Sequence, residues 1–392
     1  MASSPTISVI DDGSHQMGSL TAHRPLWASH GAGGSILSWI QHCLNRPTQG
    51  VAVSGQEDVL EPSGSISPVG VMVSARWMEP DPALLPGFGE HVISEDGVLL
   101  AVHADEEILQ AWSNGDVSRV QNSTTPKVVT ARTLDAPWNL LDLLHHALGR
   151  RMENMTSTAV PSGVHVLGDA PVCLEAGAKV DPGVVLDAEA GGIWIEANAR
   201  VRPGAVLVGP VHVGPDSIIR EQAVVRGSDI GPTCRVAGET NNSILQGWCN
   251  RAHEGHVGDS VLGVWSNLGA GTTISNLLNS YEEVSVRMTP GGSRRRTNRL
   301  FVGAFVGDFV RTAIGTKIST GTVIGTGAML AEESTITGAV PSFAWWTPSG
   351  RRTWRFDKFV TSLQTVMARR GQVPSPEMLQ RLRDAFTNLD TP

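Results

Sequence analysis

A six-residue spacing of aliphatic side chains constrains the fold of this 392-residue chain more than any other feature. Helices and half-buried strands repeat about every 3.6 and 2 residues, so neither explains a period of six. Hexapeptide repeats are typical of β-helices, in which short strands alternate with corners and stacked coils bury a continuous aliphatic column. A disordered glycine-rich tract would not keep this phase. The residues in phase are Leu174, Val180, Leu186, Ile195, Val201, Leu207, Val213, Ile219, Val225, Leu262, Leu268, Ile274, Leu300, Val306, Thr312, Ile318, Ile324, Leu330 and Ile336.

The segments around the repeat have different patterns and divide the chain. We predict an α/β domain with a mainly parallel sheet over 1–151, a linker over 152–161, the β-helix over 162–340 and a helical tail over 341–392 that caps the open end of the column. Where the phase is lost, residues 284–288 and 294–301 flank Pro290-Gly291-Gly292 and predict a hairpin. The predicted N-terminal strands are 6–10, 51–54, 70–74 and 99–102, and the predicted helices are 35–44, 106–112, 138–151, 354–370 and 376–387.

Bulk composition excludes several classes of protein. A net charge of -8 argues against a general nucleic-acid-binding protein. The four cysteines form no CxxC pair, which suits a reducing compartment and argues against a structural zinc site. The first residues do not resemble a secretory signal, and no run of eighteen apolar residues suggests a membrane span. We therefore expect a cytoplasmic protein that binds neither membranes nor nucleic acids.

One stretch of the repeat is unusually rich in polar residues. It reads His253-x-x-His256-Val-Gly-Asp and is followed by Ser266-Asn-Leu-Gly-Ala-Gly-Thr-Thr-Ile-Ser-Asn276. Over residues 169–336 the chain resembles the acetyltransferase half of the bifunctional N-acetylglucosamine-1-phosphate uridylyltransferase/glucosamine-1-phosphate N-acetyltransferase family. The segment 238–273 is most similar to a variant branch with a diverged sugar-nucleotidyltransferase N-terminal domain. The resemblance implies a left-handed β-helix, a homotrimer and acetyl-CoA as co-substrate.

The resemblance also implies roles for particular residues. Histidine titrates near neutral pH, and His253 matches the family's catalytic base for acetyl transfer to an amine. Ala270 matches the backbone donor that stabilises the developing oxyanion. The remaining implied positions are the acetyl-CoA contacts Gly269, Ala270, Gly271 and Thr326, and the amino-sugar phosphate contacts Arg202, Glu239, His256, Asn267 and Asn276. No metal ligand is implied in the β-helix. Asn241 stands where the family has a lysine near the sugar phosphate, which favours weaker phosphate binding or another amino-sugar acceptor.

The N-terminal half departs further from that family. An active nucleotidyltransferase has a glycine-rich, arginine-containing loop after its first strand, whereas here residues 11–17 contain one glycine and no arginine. The later turn at 30–35 is glycine-rich and could bind phosphate, although it also suits a simple helix entry. Asp105 could bind a metal or form a surface turn. We expect uridylyl transfer to be reduced or absent, with Mg²⁺ required only if this domain is active.

Two other functions remain open from the residues alone. A γ-type carbonic anhydrase uses the same coil with three histidines around zinc, and this chain offers His165, His212, His253 and His256. A non-catalytic β-helix could instead serve assembly or sugar-nucleotide sensing. The arginines at 294, 295, 296 and 299 could form a solvated face or contact the phosphates of a nucleotide.

Overall fold

The computed structural model describes residues 6–11, 17, 20, 24–51 and 68–390. Its N-terminal part is an α/β domain, which confirms the predicted class. The strands are β1 (Ile7–Ile10), β2 (Thr48–Val51), β3 (Val69–Ser74), β4 (Glu90–Ser94), β5 (Leu99–Asp105) and β6 (Thr125–Val129), in the order β2-β1-β3-β5-β4-β6. Strand β5 runs antiparallel to both β3 and β4. The other three strand pairings are parallel, so the sheet is mixed with a parallel majority.

The helices of this domain are short and mostly have side-chain caps. They are α1 (Ile36–Leu44), α2 (Glu106–Ser113), α3 (Val117–Ser123) and α4 (Trp138–Met152), with single 3-10 turns at Leu26–Ala28 and Pro82–Leu84. The side chain of Ser35 accepts a hydrogen bond from the Ser38 N–H at the start of α1. Asp105 caps α2 in the same way through the Ile108 N–H, so its carboxylate has a structural role.

Residues after α4 form a prism of stacked parallel coils, about ten turns long, which confirms the predicted β-helix. Each coil contributes one short strand to each of three faces, and the faces are numbered here in the order in which the chain visits them. Face 1 comprises His165–Leu167, Val185–Asp187, Val206–Val208, Val224–Arg226, Glu239–Asn241, His256–Gly258, Thr273–Ile274 and Lys317–Ile318.

Faces 2 and 3 complete the prism. Face 2 comprises Val172–Leu174, Ile193–Ile195, Val211–Val213, Asp229–Ile230, Ile244–Leu245, Val261–Leu262, Ala304–Val306, Thr322–Ile324 and Ala339–Val340. Face 3 comprises Lys179–Val180, Arg200–Val201, Ile218–Ile219, Arg235–Val236, Asn250–Arg251, the single bridge residue Asn267, Arg311–Thr312, Met329–Leu330, Ala344–Thr347 and Gly350–Thr353. The last two of these strands form an antiparallel hairpin that extends the final coil.

The aliphatic column lies where the six-residue phase predicts it. Val201, Ile219 and Val236 are register partners on face 3, and all three are fully buried. One residue of the predicted column is wrong: Leu300 is 40% exposed. It lies in the returning arm of an inserted hairpin, so its position in the count of six does not place it in a coil.

The inserted hairpin consists of Ser285–Arg287 paired antiparallel with Arg294–Arg296, as the sequence predicted. It turns back onto the N-terminal domain. Arg299 forms an ion pair with Asp142 of α4, and the Arg295 guanidinium lies 5.2 Å from the ring centroid of Trp138. Two of the four arginines in this run therefore join the two parts of the chain.

The tail forms the helices α5 (Phe356–Ala368) and α6 (Pro376–Thr387), followed by a 3-10 turn at Asn388–Asp390. The helices pack along the edge between faces 2 and 3, where Trp265, Phe309 and Phe343 form one hydrophobic cluster with Phe359. Arg370 donates to the Thr233 carbonyl several coils away. The tail thus covers an edge of the prism, and a cap over the open end of the column remains a prediction. No helix among the described residues is both long and apolar enough to span a membrane.

The N-terminal domain packs against face 2 through a ladder of outward side chains. Ile244, Val261, Phe305 and Val323 are successive register partners, and all four belong to the hydrophobic core of the N-terminal domain. Their neighbours in the chain point inward, into the column of the prism. Each central strand of face 2 therefore supplies one residue to each of two cores. The assignment of residues 152–161 as a linker remains a prediction.

Candidate functional site

The candidate site lies on the edge where face 3 turns into face 1, called here edge 3/1. Arg202, His253 and Ala270 all lie at this turn, each in a different coil. His253 and Ala270 line a cavity of about 310 Å³, together with Glu221, Gly238 and Glu254 among others. His253 is exposed, and its ring has no hydrogen-bond partner among the described residues. Both ring nitrogens of His253 are therefore accessible to a molecule bound in this cavity.

The bend of Gly269, Ala270 and Gly271 presents one backbone donor. The Gly269 N–H donates to Thr312 Oγ1 at 3.0 Å, and the Gly271 N–H donates to the Glu254 carbonyl at 2.9 Å. The Ala270 carbonyl accepts from Gly315, whereas the Ala270 N–H has no partner among the described residues. This donor is therefore available to an oxygen atom of a ligand.

Close stacking of the coils shapes this edge. Gly255 has a φ of +134°, and a Cβ atom there would collide with the Thr272 carbonyl oxygen of the next coil. Only glycine accepts this conformation without strain. The turn that carries His253 thus lies directly against the turn that follows Ala270.

A buried arginine lies beneath the same edge and was missed by the sequence analysis. Arg251 is the register partner of the inward-facing Val236 and is only 3% exposed. Its guanidinium donates to the carbonyls of Ala237 and Gly255. Burial lowers its pKa to about 10, and the nearby charge of Glu239 partly opposes this shift. Arg251 occupies a position of the repeat that usually holds an inward aliphatic residue, and this pattern could have identified it from the sequence.

Two other predicted residues, Glu239 and His256, lie on face 1 next to edge 3/1, and Asn276 lies at the other end of this face, towards face 2. Glu239 and His256 are register partners, and Glu239 is exposed. His256 Nδ1 lies 3.1 Å from the Ile274 carbonyl oxygen, and because a carbonyl can only accept, Nδ1 carries the proton. Asn276 donates to Asp259 at 2.7 Å. The carboxylate and the imidazole Nε2 on this face can therefore accept hydrogen bonds from a polar ligand.

Arg202 is already paired. Its Nε donates to Glu221 at 2.9 Å, and its Nη1 donates to Asp181 at 3.1 Å. The hydrogen bond to Glu221, with the charges of Glu221 and Asp181, raises the pKa of Arg202. A phosphate at this position would have to share the guanidinium with these carboxylates.

Arg202 is three coils from His253 and does not line the cavity, and two other predicted residues also lie away from it. Asn267 accepts a hydrogen bond from Asn250 at 2.8 Å, and it lines a separate cavity of about 360 Å³ beside α5. Thr326 is buried on the edge between faces 2 and 3, where its carbonyl accepts from the Phe343 N–H. Neither residue lines the cavity that contains His253.

The four histidines of the carbonic-anhydrase alternative do not converge. His165 and His256 lie on face 1 five strands apart, or about 24 Å at the usual strand spacing. His212 is fully buried on face 2 beneath the N-terminal domain. The glycine-rich turn at 30–35 faces His212 and contacts a carboxylate of the prism, since the Gly33 N–H donates to Asp229 Oδ2 at 2.9 Å.

The chain shares its sequence pattern with known bifunctional enzymes. A bifunctional sugar-1-phosphate nucleotidylyltransferase/acetyltransferase from Sulfurisphaera tokodaii is 29% identical over 192 residues, 48% of this chain and 42% of that protein. The bifunctional protein GlmU of Picosynechococcus sp. is 30% identical over 164 residues, 40% of this chain and 33% of that protein. The chain resembles bifunctional sugar-phosphate nucleotidyltransferase/acetyltransferases. GlmU of Acaryochloris marina is 27% identical over 232 residues, 57% of this chain and 47% of that protein.

These matches span less than half the length of the relatives. A hexapeptide transferase family protein from Anaplasma phagocytophilum is a solved structure with 16% identity and a TM-score of 0.23, covering 58% of this chain and 96% of that one. No protein-family model matches the sequence.

Proposed function

We propose that this protein is an acetyl-CoA-dependent N-acetyltransferase that acts on an amino-sugar phosphate, with glucosamine 1-phosphate as the first acceptor to test. The observation that carries the proposal is that His253 and Ala270, from consecutive coils, line one cavity. The ring of one and the N–H of the other have no partner among the described residues. Acetyl transfer needs a base and an oxyanion donor in this relation.

The chemistry assigns one step to each group. The amine nitrogen of the sugar attacks the thioester carbonyl, and His253 accepts the proton that the nitrogen loses. The carbonyl oxygen becomes an oxyanion, which accepts a hydrogen bond from the Ala270 N–H. The C–S bond then breaks, and the CoA thiolate leaves and takes the proton back from the imidazolium.

The acceptor site extends from edge 3/1 onto face 1. Glu239 and His256 are adjacent there, and both offer acceptor atoms for the amine or hydroxyl groups of a sugar. Asn276, which is held by Asp259, would contact the ring from the same face. Arg202 lies three coils from His253, about 14 Å at the usual strand spacing, and its two carboxylate partners suit at most modest phosphate affinity.

Two further parts of the proposal concern the whole chain. A second copy of the prism would complete the cleft along edge 3/1, in a homotrimer such as β-helix acyltransferases form. Nucleotidyl transfer by the N-terminal domain would be reduced or absent. Arg24, which follows β1, forms an ion pair with Asp308 of the prism and therefore does not extend towards a nucleotide.

A thiol-release assay with acetyl-CoA tests the proposal. The acceptors are glucosamine 1-phosphate, other amino-sugar phosphates and UDP-linked amino sugars, and the matched control is the same sugar already N-acetylated. We expect thiol release that requires the free amine and is lost in His253→Ala. If the protein binds amino-sugar phosphates without releasing thiol, the non-catalytic alternative is correct.

A further inference from the structure

A cluster of buried metal-ligating side chains lies at the junction of the N-terminal domain and the prism, remote from edge 3/1. His30 comes from the glycine-rich turn before α1, whereas His212 and Asp229 lie on adjacent strands of face 2. His212 and Asp229 are fully buried, and His30 is 7% exposed. The acetyl-transfer chemistry uses none of these residues.

The donor atoms converge on one small volume. His30 Nε2 lies 2.8 Å from Asp229 Oδ1, and His212 Nδ1 lies 2.7 Å from the same oxygen. All three ligand atoms lie within 4.8 Å of one another. Tetrahedral zinc has bonds of about 2.0 Å to nitrogen and oxygen, which separate its ligand atoms by about 3.3 Å. The ligand atoms would therefore have to move apart by about half an ångström to admit an ion. Without an ion, protons shared between Asp229 and the two histidine rings can hold the three side chains together.

The atoms that face away from the cluster lie near the kinds of group that usually support metal ligands. His212 Nε2 lies 3.3 Å from Glu196 Oε2 in a geometry that makes no hydrogen bond, so this buried nitrogen faces a carboxylate that would have to rotate to accept its proton. Asp229 Oδ2 accepts the Gly33 N–H, which leaves Oδ1 for the cluster. Second-shell contacts of these two kinds orient histidine and carboxylate ligands around bound metals. The Trp194 ring, 4.5 Å from the His212 ring, covers the site from the side.

We propose that His30, His212 and Asp229 bind one zinc ion, or a similar divalent transition metal, which links the N-terminal domain to the prism. Two imidazole nitrogens and a carboxylate oxygen are donors that zinc prefers. Binding would displace the protons between Asp229 and the two rings and release them to solvent. The ligand set includes a residue of the N-terminal domain, so this site differs from one that His165, His253 and His256 would form.

Zinc stoichiometry and affinity test the proposal in the full-length protein. The protein is purified without chelator, loaded with zinc, desalted and analysed for metal, and its affinity is measured by competition with a chromophoric chelator. We expect about one zinc per chain in the wild type. In His30→Gln and Asp229→Asn we expect the affinity to fall by more than about 100-fold, since even second-shell changes cost 10- to 100-fold. The matched control is His165→Gln, an exposed histidine on the first coil, which should keep wild-type affinity.

A second measurement is independent of whether the variants fold. Cobalt(II) titrated into the metal-free wild type should give one-to-one ligand-field bands of a tetrahedral nitrogen–oxygen site, with release of protons into weakly buffered solution. Absence of these bands, or wild-type zinc affinity in His30→Gln, would show that the cluster is bridged by protons only. Loss of zinc in His165→Gln would instead support a carbonic-anhydrase-like site. None of these readouts depends on acetyl transfer.

Discussion

Arg24 of the N-terminal domain and Asp308 of the prism form a buried ion pair, with Arg24 Nε 3.1 Å from Asp308 Oδ2. Both side chains are almost completely excluded from solvent. Arg24 also donates to the side-chain oxygen of Gln246, and Asp308 accepts the Val264 N–H. Arg24 thus attaches this part of the N-terminal domain to the edge between faces 2 and 3 through a buried charged contact.

Removal of the carboxylate should weaken the whole chain. In Asp308→Asn the Arg24 guanidinium would stay buried without its counter-charge, and loss of one partner of such a pair costs about 3–5 kcal/mol of unfolding free energy. Urea denaturation followed by tryptophan fluorescence measures the effect. The control is Glu107→Gln, which removes an exposed pair with Arg119 and should cost less than about 1 kcal/mol. Equal effects in the two variants would contradict this account.

His253 and His256 should differ in their kinetic roles. If His253 is the base, His253→Ala lowers kcat for acetyl transfer by about 10²- to 10⁴-fold and leaves KM for acetyl-CoA nearly unchanged. His256→Gln should mainly raise KM for the amino sugar, since this ring faces the proposed acceptor site beside Glu239. Steady-state kinetics with both substrates varied distinguishes the two roles. The reverse pattern would assign proton transfer to His256.

Gly255 should tolerate no side chain because of its neighbour in the next coil. Gly255→Ala adds a Cβ that collides with the Thr272 carbonyl, and the coils can separate only by disturbing the bend at Ala270. Gly350→Ala is the matched control, since its φ of +132° is almost the same and no atom lies within 4 Å of the added Cβ. We expect Gly255→Ala to lose about 1–3 kcal/mol more stability than the control, together with acetyl transfer. Equal thermal shifts would show that backbone strain alone matters here.

The N-terminal domain should not transfer uridylyl groups at a useful rate. With UTP, Mg²⁺ and N-acetylglucosamine 1-phosphate, we expect no pyrophosphate release above background from protein that is active in acetyl transfer. The physical reason is that Arg24 is paired with Asp308, while Asp11 accepts the Leu26 N–H at 2.6 Å. Robust pyrophosphate release would overturn this prediction and would make the protein bifunctional.

The column of the prism could be predicted from the sequence because each strand contributes an inward residue at a fixed interval. Leu300 is an exception because it lies in an inserted hairpin. The six-residue spacing can be counted through this insertion although the insertion is not part of a coil. The edge that carries His253 and Ala270 could also be predicted, because both residues occur at the same turn of consecutive coils. Residues 12–16, where the missing phosphate loop was inferred, lie outside the described residues.

The attachment of the N-terminal domain could not be predicted in this way. Outward positions of a hexapeptide repeat accept many side chains, so Ile244 and Phe305 carried no signal that another core would cover them. The contact of His30 with Asp229 joins residues 199 positions apart, which no local pattern encodes. Similarity to the family predicts that Asn267 and Thr326 contact the substrates, whereas the structure locates both outside the cavity of His253.

The ladder on face 2 affects any attempt to produce the prism as a free-standing catalyst. Without roughly the first 150 residues, the side chains of Ile244, Val261, Phe305 and Val323 would form a continuous hydrophobic surface exposed to solvent. A truncated protein that contains only the prism would need polar substitutions at these four positions to avoid aggregation.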